Sequence, residues 1–156
     1  MADLEITVNT KELEQLLEHL PQKIANQYLR SAAQKAGDAI LAPMKALTPE
    51  RTDEKTPNGN SLEPGALRED LTTQVTLTKH GVRVKIGPTA ATAHVCRWQN
   101  NGYMLTSHNG KQIKQIPGKH FMEGASDESG QTAVDAFVDD IQSSLNTDNA
   151  SSGGGS

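Results

Sequence analysis

Five histidines and one cysteine are the side chains with the plainest capacity for chemistry, and His94-Val95-Cys96 is their densest grouping. Imidazole and thiolate both bind zinc, but a zinc site takes three or four ligands and no further one stands at a recognised spacing. On a helix, residues i and i+2 do not face each other. Cys96 as a nucleophile needs a base such as His94 or His120 beside it, and surroundings that lower its pKa. A small buried thiol accounts for it more simply. His80 reads as a turn residue, His108 lies beside another turn, and His19 falls on a solvated helix face.

Carboxylates come in adjacent pairs: Glu69-Asp70, Asp127-Glu128 and Asp139-Asp140. Neighbours on a helix point to different sides, so such pairs are ordinarily solvated charge. Asp135, Asp139 and Asp140 fall off the apolar stripe of the last helix, on its solvated side. A metal-dependent nuclease would need acids and a lysine converging at strand ends. Glu69, Asp70 and Lys85 could be arranged that way, but Lys85 belongs to the polar face of a hairpin. There is no glycine loop of the kind that cradles phosphate. These residues nominate no catalytic group, no metal ligand and no cofactor.

The totals set the outer bounds. A chain of 156 residues with a formal charge of −4 fits one domain and carries no overall basic footprint for phosphate. No apolar run approaches the roughly 20 residues of a membrane-spanning helix. The start, Met1-Ala2-Asp3-Leu4-Glu5, lacks a basic segment and an apolar core, so no signal peptide is expected. With a single cysteine, no intrachain disulfide can form.

The elements that would position any site centre on Leu71 to Gly87. Leu71, Thr73, Val75 and Leu77 alternate with polar residues, and so do Val82, Val84 and Ile86. Strict alternation predicts two half-buried strands, and His80-Gly81 suits a two-residue turn. That turn would set Lys79 opposite Val82, Leu77 opposite Val84 and Val75 opposite Ile86, with every apolar side chain on one face.

Before this hairpin, Leu4, Ile6 and Val8 suggest an edge strand, and Asn9 with Glu12 resembles a capping box ahead of Leu13, Leu16, Leu17 and Leu20. Pro21 breaks that helix and a second runs through Ile24, Tyr28, Ala32, Ala36, Ile40 and Leu41. Ser31-Ala32-Ala33 and Ala36-Gly37 admit a close neighbour, either the sheet or another subunit. Pro43 should kink this helix and Pro49 end it. Segment 49–65 is almost free of apolar side chains, and too long for a structureless loop without a role. It reads either as a flexible surface loop or as a segment that orders on a partner through Arg51, Asp53 and Lys55.

After the hairpin, Ala91, His94, Val95 and Trp98 share one face of a short helix. Asn109-Gly110 centres a second hairpin, 103–116, with few apolar side chains. It is expected to be an exposed arm offering Tyr103, Met104, Asn109 and Lys111. A last helix carries Val134, Phe137, Val138, Ile141 and Leu145 as its stripe, and 146–156 has the composition of a disordered tail. The fold class is α+β: a small antiparallel sheet on a central hairpin, covered by a long N-terminal helix pair and a C-terminal helix, one domain over 1–145. Leu77, Val84, Trp98, Phe121 and Phe137 are the expected structural anchors.

Four segments in order carry a resemblance: Leu47-Thr48-Pro49; Gly65-Ala66-Leu67-Arg68-Glu69-Asp70-Leu71 with the hairpin ending Ile86-Gly87-Pro88; Trp98-Gln99-Asn100-Asn101-Gly102; and His120-Phe121-Met122-Glu123-Gly124-Ala125. The set is similar to the neck and tail-completion family of long-tailed bacteriophages. Asn100 stands where an acidic residue is common in that family, and His120 where proline is. The resemblance implies a virion protein that works at the head–tail junction after assembly in the host cytoplasm. It implies a ring of copies contacting head-connector and tail-tube or terminator proteins, with DNA only as passing cargo, no membrane and no enzymatic activity. The isolated chain is expected to stay monomeric. The alternatives are a tail terminator capping the tube and, in another class, a small metal-dependent phage nuclease.

Overall fold

The computed structural model describes residues 4–7, 18, 20–50, 63–79 and 81–152. Their order is β1 (Leu4–Thr7), α1 (Gln22–Leu47), α2 (Ala66–Asp70), β2 (Leu71–Thr78), β3 (Gly81–Pro88), α3 (Ala93–Asn101), β4 (Gly102–Thr106), β5 (Gln112–Pro117) and α4 (Phe121–Ser152). The fold is α+β. One antiparallel sheet has the order β1-β3-β2, and β4 and β5 form a separate ribbon. The helix expected over Leu13–Leu20 lies outside the described residues, so of the N-terminal helix pair only α1 is described. No helix among the described residues is long and apolar enough to cross a membrane.

The hairpin forms where alternation places it, with a corrected register. Leu77 pairs with Val82, Val75 with Val84 and Thr73 with Ile86, and the Thr78–Gly81 pair closes it. The shift from the expected pairing is two residues along β2. An odd slip would turn one strand inside out, whereas an even slip keeps every side chain on its face. Alternation therefore fixes the face and leaves the even registers to turn geometry. Here Gly81 takes a φ of 140, and Thr78 Oγ1 donates to its carbonyl at 3.1 Å. His80 lies outside the described residues.

On the inner face Val82, Val84, Ile86 and Leu71 are buried, and Val75 and Leu77 pack against them partly covered. Helix α1 begins directly after Pro21, whose carbonyl accepts from Ile24 and Ala25, and it continues through Pro43 to Leu47. Its end is local: Thr48 precedes Pro49, which disfavours helical geometry, and Thr48 is extended with its hydroxyl on the Met44 carbonyl at 2.6 Å. The small residues of α1 serve the domain itself. A Cβ on Gly37 would press on Thr73 and on Val84 Cγ1 at 2.9 Å, so the helix backbone rests directly on β2 and β3.

Helix α4 runs unbroken through Gly124 and Gly130. Each glycine costs about 1 kcal/mol relative to alanine in a helix. Burial of Phe121, Met122, Ala125, Ala133, Phe137 and Ile141 along one side outweighs that. The stripe is rotated from expectation, because Ala133 is buried while Val134 is 42% exposed. Asp140 was expected on the solvated side, yet it is buried, accepting from Ser31 Oγ at 2.9 Å and paired with Lys35 of α1. Nor does 146–156 begin a disordered tail at Asn146: α4 continues to Ser152, and Tyr28 of α1 donates to Asp148.

Candidate functional site

Two of the resemblance-bearing segments meet where α3 hands over to α4. Asp70, the last residue of α2, organises the approach. Its carboxylate accepts from Thr89 N at 3.0 Å, Thr89 Oγ1 at 2.8 Å and Thr92 Oγ1 at 2.5 Å. Partial burial pushes its pKa up, but the hydrogen bonds from Thr92 and Thr89 outweigh this and hold the carboxyl below its ordinary value. Thr92 is the residue before α3, so Asp70 ties the end of the sheet to the start of that helix.

Helix α3 has two unlike sides. Its buried residues are Cys96 and Asn100, one turn apart. Cys96 Sγ lies 3.8 Å from Met122 Sδ. Asn100 Oδ1 accepts from Met122 N at 3.1 Å, and Asn100 Nδ2 reaches Glu123 Oε1 at 3.1 Å. The side-chain amide thus satisfies one of the free N–H groups in the first turn of α4. The backbone follows, with Lys119 N on Gln99 O at 2.8 Å and His120 N on Asn100 O at 3.0 Å. A Cβ on Gly102 would lie 2.6 Å from Gly118 N, so these two glycines allow the strand ends to touch. His120 has a φ of 49, a value closed to proline, and its N–H is in use. The backbone therefore excludes proline at this position.

The other side of α3 overturns one expected anchor. Trp98 is 50% exposed, with His94 set edge-on to it at 5.4 Å and Tyr103 tilted against it at 6.0 Å. His94 and Trp98 are one turn apart, and so are Cys96 and Asn100. Which pair turns inward is decided by Met122 across the junction. Val84, Phe121 and Phe137 are buried and Leu77 is partly so.

From this junction projects the ribbon of β4 and β5, the arm of 103–116. Tyr103 pairs with Ile116, Met104 with Gln115, and a bulge interrupts the register between Leu105 and Thr106. The tip closes through Ser107 N on Lys111 O at 2.8 Å, with Gly110 at φ 74. Tyr103, Met104, Leu105 and Ile113 are exposed, Ile113 at 62%. Asn109 and Lys111 are exposed at the tip. An isolated two-stranded hairpin is marginal in water, and clustered exposed apolar side chains mark interaction surfaces. Among the described elements the arm packs chiefly against α3.

The other expected contact residues, Arg51, Asp53 and Lys55, lie outside the described residues. The nuclease grouping is not assembled. Leu71 pairs with Pro88, so Asp70 aligns beyond the sheet end, about four residues or ~13 Å along the strand from Lys85. Among the described residues no three His, Cys, Asp or Glu converge to hold a metal.

Charge is divided along the chain. From Leu71 to Met122 there are seven Lys or Arg and no Asp or Glu, whereas from Glu123 onward there are seven Asp or Glu and no Lys or Arg. The boundary falls at the first turn of α4. The sheet hairpin, α3 and the arm are basic; α4 is acidic.

No protein-family model, curated protein or solved structure matches this chain.

Proposed function

We propose that the chain is a structural protein of the head–tail junction in a long-tailed phage, one that forms a ring and joins tail to head. The observation carrying this reading is the junction of α3 and α4. Trp98–Gly102 and His120–Ala125, two segments of the resemblance, are bonded together through Asn100 and Met122. They serve as the rigid root of an arm whose apolar side chains face solvent. A rigid base presenting an exposed loop is how binding surfaces are generally carried. The site is built for contact, its polar groups being spent on capping and turn bonds.

The test is genetic and structural. In a phage encoding this chain, residues 103–116 are replaced by a short turn between Gly102 and Pro117. The expected result is a folded protein and lysates in which filled heads and separate tails accumulate unjoined by electron microscopy. Normal yields of complete particles would overturn the reading, as would divalent-metal-dependent DNA cleavage by the purified protein that Asp70→Asn abolishes.

A further inference from the structure

An apolar cleft of about 240 Å³ opens between the two long helices and the sheet, lined by Ala36 and Gly37 of α1, Val84 of β3, and Gly130, Ala133 and Val134 of α4. Its volume falls below the roughly 300–1,000 Å³ of small-molecule pockets, a size suited to an inserted side chain. A Cβ on Gly130 would meet nothing within 4 Å, so the floor is open on that side. Asp127, one turn before Gly130, is exposed on the same face of the helix. Asp135 and Asp139 are exposed farther along α4, turned about 80–120° around the helix from Asp127.

The arm is the complement of this surface in both respects. Ile113 is the most exposed large hydrophobic side chain described, at 62%. Lys111, two residues earlier, is exposed, and the whole stretch from Ala93 to His120 contains Arg97, Lys111, Lys114 and Lys119 without a single carboxylate. Lys111 closes the turn and Ile113 sits at the bulge that begins β5, two residues and so at most about 7 Å apart along the chain, a reach that long side chains bridge to Asp127 and Gly130. Arm and cleft sit on different parts of the molecule, and unlike patches of one chain that fit each other generate head-to-tail assemblies.

We propose that the arm of one copy seats on α4 of the next, with Ile113 entering the cleft beside Gly130 and Lys111 lying against Asp127. This rests on the ring-forming reading above and gives it a specific subunit contact. Apolar insertion supplies the affinity, and the opposed charges set orientation and disfavour like faces meeting.

The full-length chain carries its own probe, since its single cysteine, Cys96, is buried at 0% exposure and stays out of reach. Single variants Ile113→Cys and Gly130→Cys are mixed and oxidised, and the disulfides are mapped by mass spectrometry. A disulfide needs Cα atoms within about 7 Å, so it reports even a weak contact. The expected result is a 113–130 link between chains in clear excess over 113–113 and 130–130. Adding Lys111→Glu should slow it roughly tenfold at low salt, and Asp127→Lys in the partner should restore it. Links in random proportion, or a 113–130 link formed within one chain of the double-cysteine variant, would overturn the proposal. So would a Lys111→Glu change that weakens duplex DNA binding and leaves cross-linking alone. Arm deletion that blocks particle joining without any 113–130 link would sink this contact and leave the assembly reading standing.

Discussion

Gly37 and Gly130 are both helical glycines, and replacing each by alanine should move stability in opposite directions. In an exposed helix interior, glycine to alanine gains about 0.5–1 kcal/mol, because alanine loses less backbone entropy on folding. At Gly130 the new methyl meets nothing within 4 Å, so the full gain should appear. At Gly37 the methyl meets Thr73 Cγ2 and Val84 Cγ1, the latter at 2.9 Å. Both are methyls of β-branched side chains with little χ1 freedom, fixed on neighbouring strands beneath the helix. Overpacking of this kind costs about 1–3 kcal/mol, which exceeds the propensity gain. The net expectation is about +1 kcal/mol stability for Gly130→Ala and a loss of about 1–2 kcal/mol for Gly37→Ala. With a urea m-value of about 2 kcal/mol/M, these are midpoint shifts of roughly 0.5 M up and 0.5–1 M down. Equilibrium urea unfolding followed by far-UV circular dichroism measures both. If Gly37→Ala raised the midpoint as Gly130→Ala does, α1 would not rest on β2 and β3 as described.

Val84→Asp puts a carboxylate at a position 2% exposed beneath α1 and should abolish cooperative unfolding, whereas Thr76→Asp on the exposed face should stay within about 0.5 kcal/mol of wild type; a wild-type midpoint for Val84→Asp would refute the sheet's orientation. Asn100→Ala should cost about 1–2 kcal/mol by leaving Met122 N–H unpartnered, and His120→Pro about 3 kcal/mol or more, since it loses both the positive φ and the bond to Asn100 O; calorimetric midpoints would show either effect. Asp70 has a folded pKa below its ordinary value, so the stability it adds is present above the unfolded carboxylate range and is lost as pH falls through the folded value. Wild type should therefore exceed Asp70→Asn in urea midpoint at pH 7, and the gap should close in acid, where the protonated acid resembles the amide; a gap constant down to pH 2 would contradict the bonding described.

What the sequence determined by itself was local or periodic. Alternation fixed which side chains of β2 and β3 face inward, because a strand's period of two leaves no other choice. Asn109-Gly110 placed the arm's tip, since the turn needs a residue that accepts positive φ. Pro21 and Thr48-Pro49 set the ends of α1 through proline's missing N–H and its effect on the preceding residue. Tertiary structure alone decided choices between options that are locally equivalent. Registers differing by two residues keep the same faces, so alternation could not choose between them. On α3, His94 with Trp98 and Cys96 with Asn100 are both pairs one turn apart, and the larger apolar side chain was the natural one to bury. The junction selected Cys96 and Asn100, because the first turn of α4 needs an acceptor for Met122 N–H and a small thiol fits against Met122. Asp140 reads as solvated charge until α1 brings Ser31 and Lys35 to it across more than 100 residues. The helix that crosses Gly124 and Gly130 likewise has no local warrant: its propensity deficit is met only by the apolar surface that α1 and the sheet lay against it.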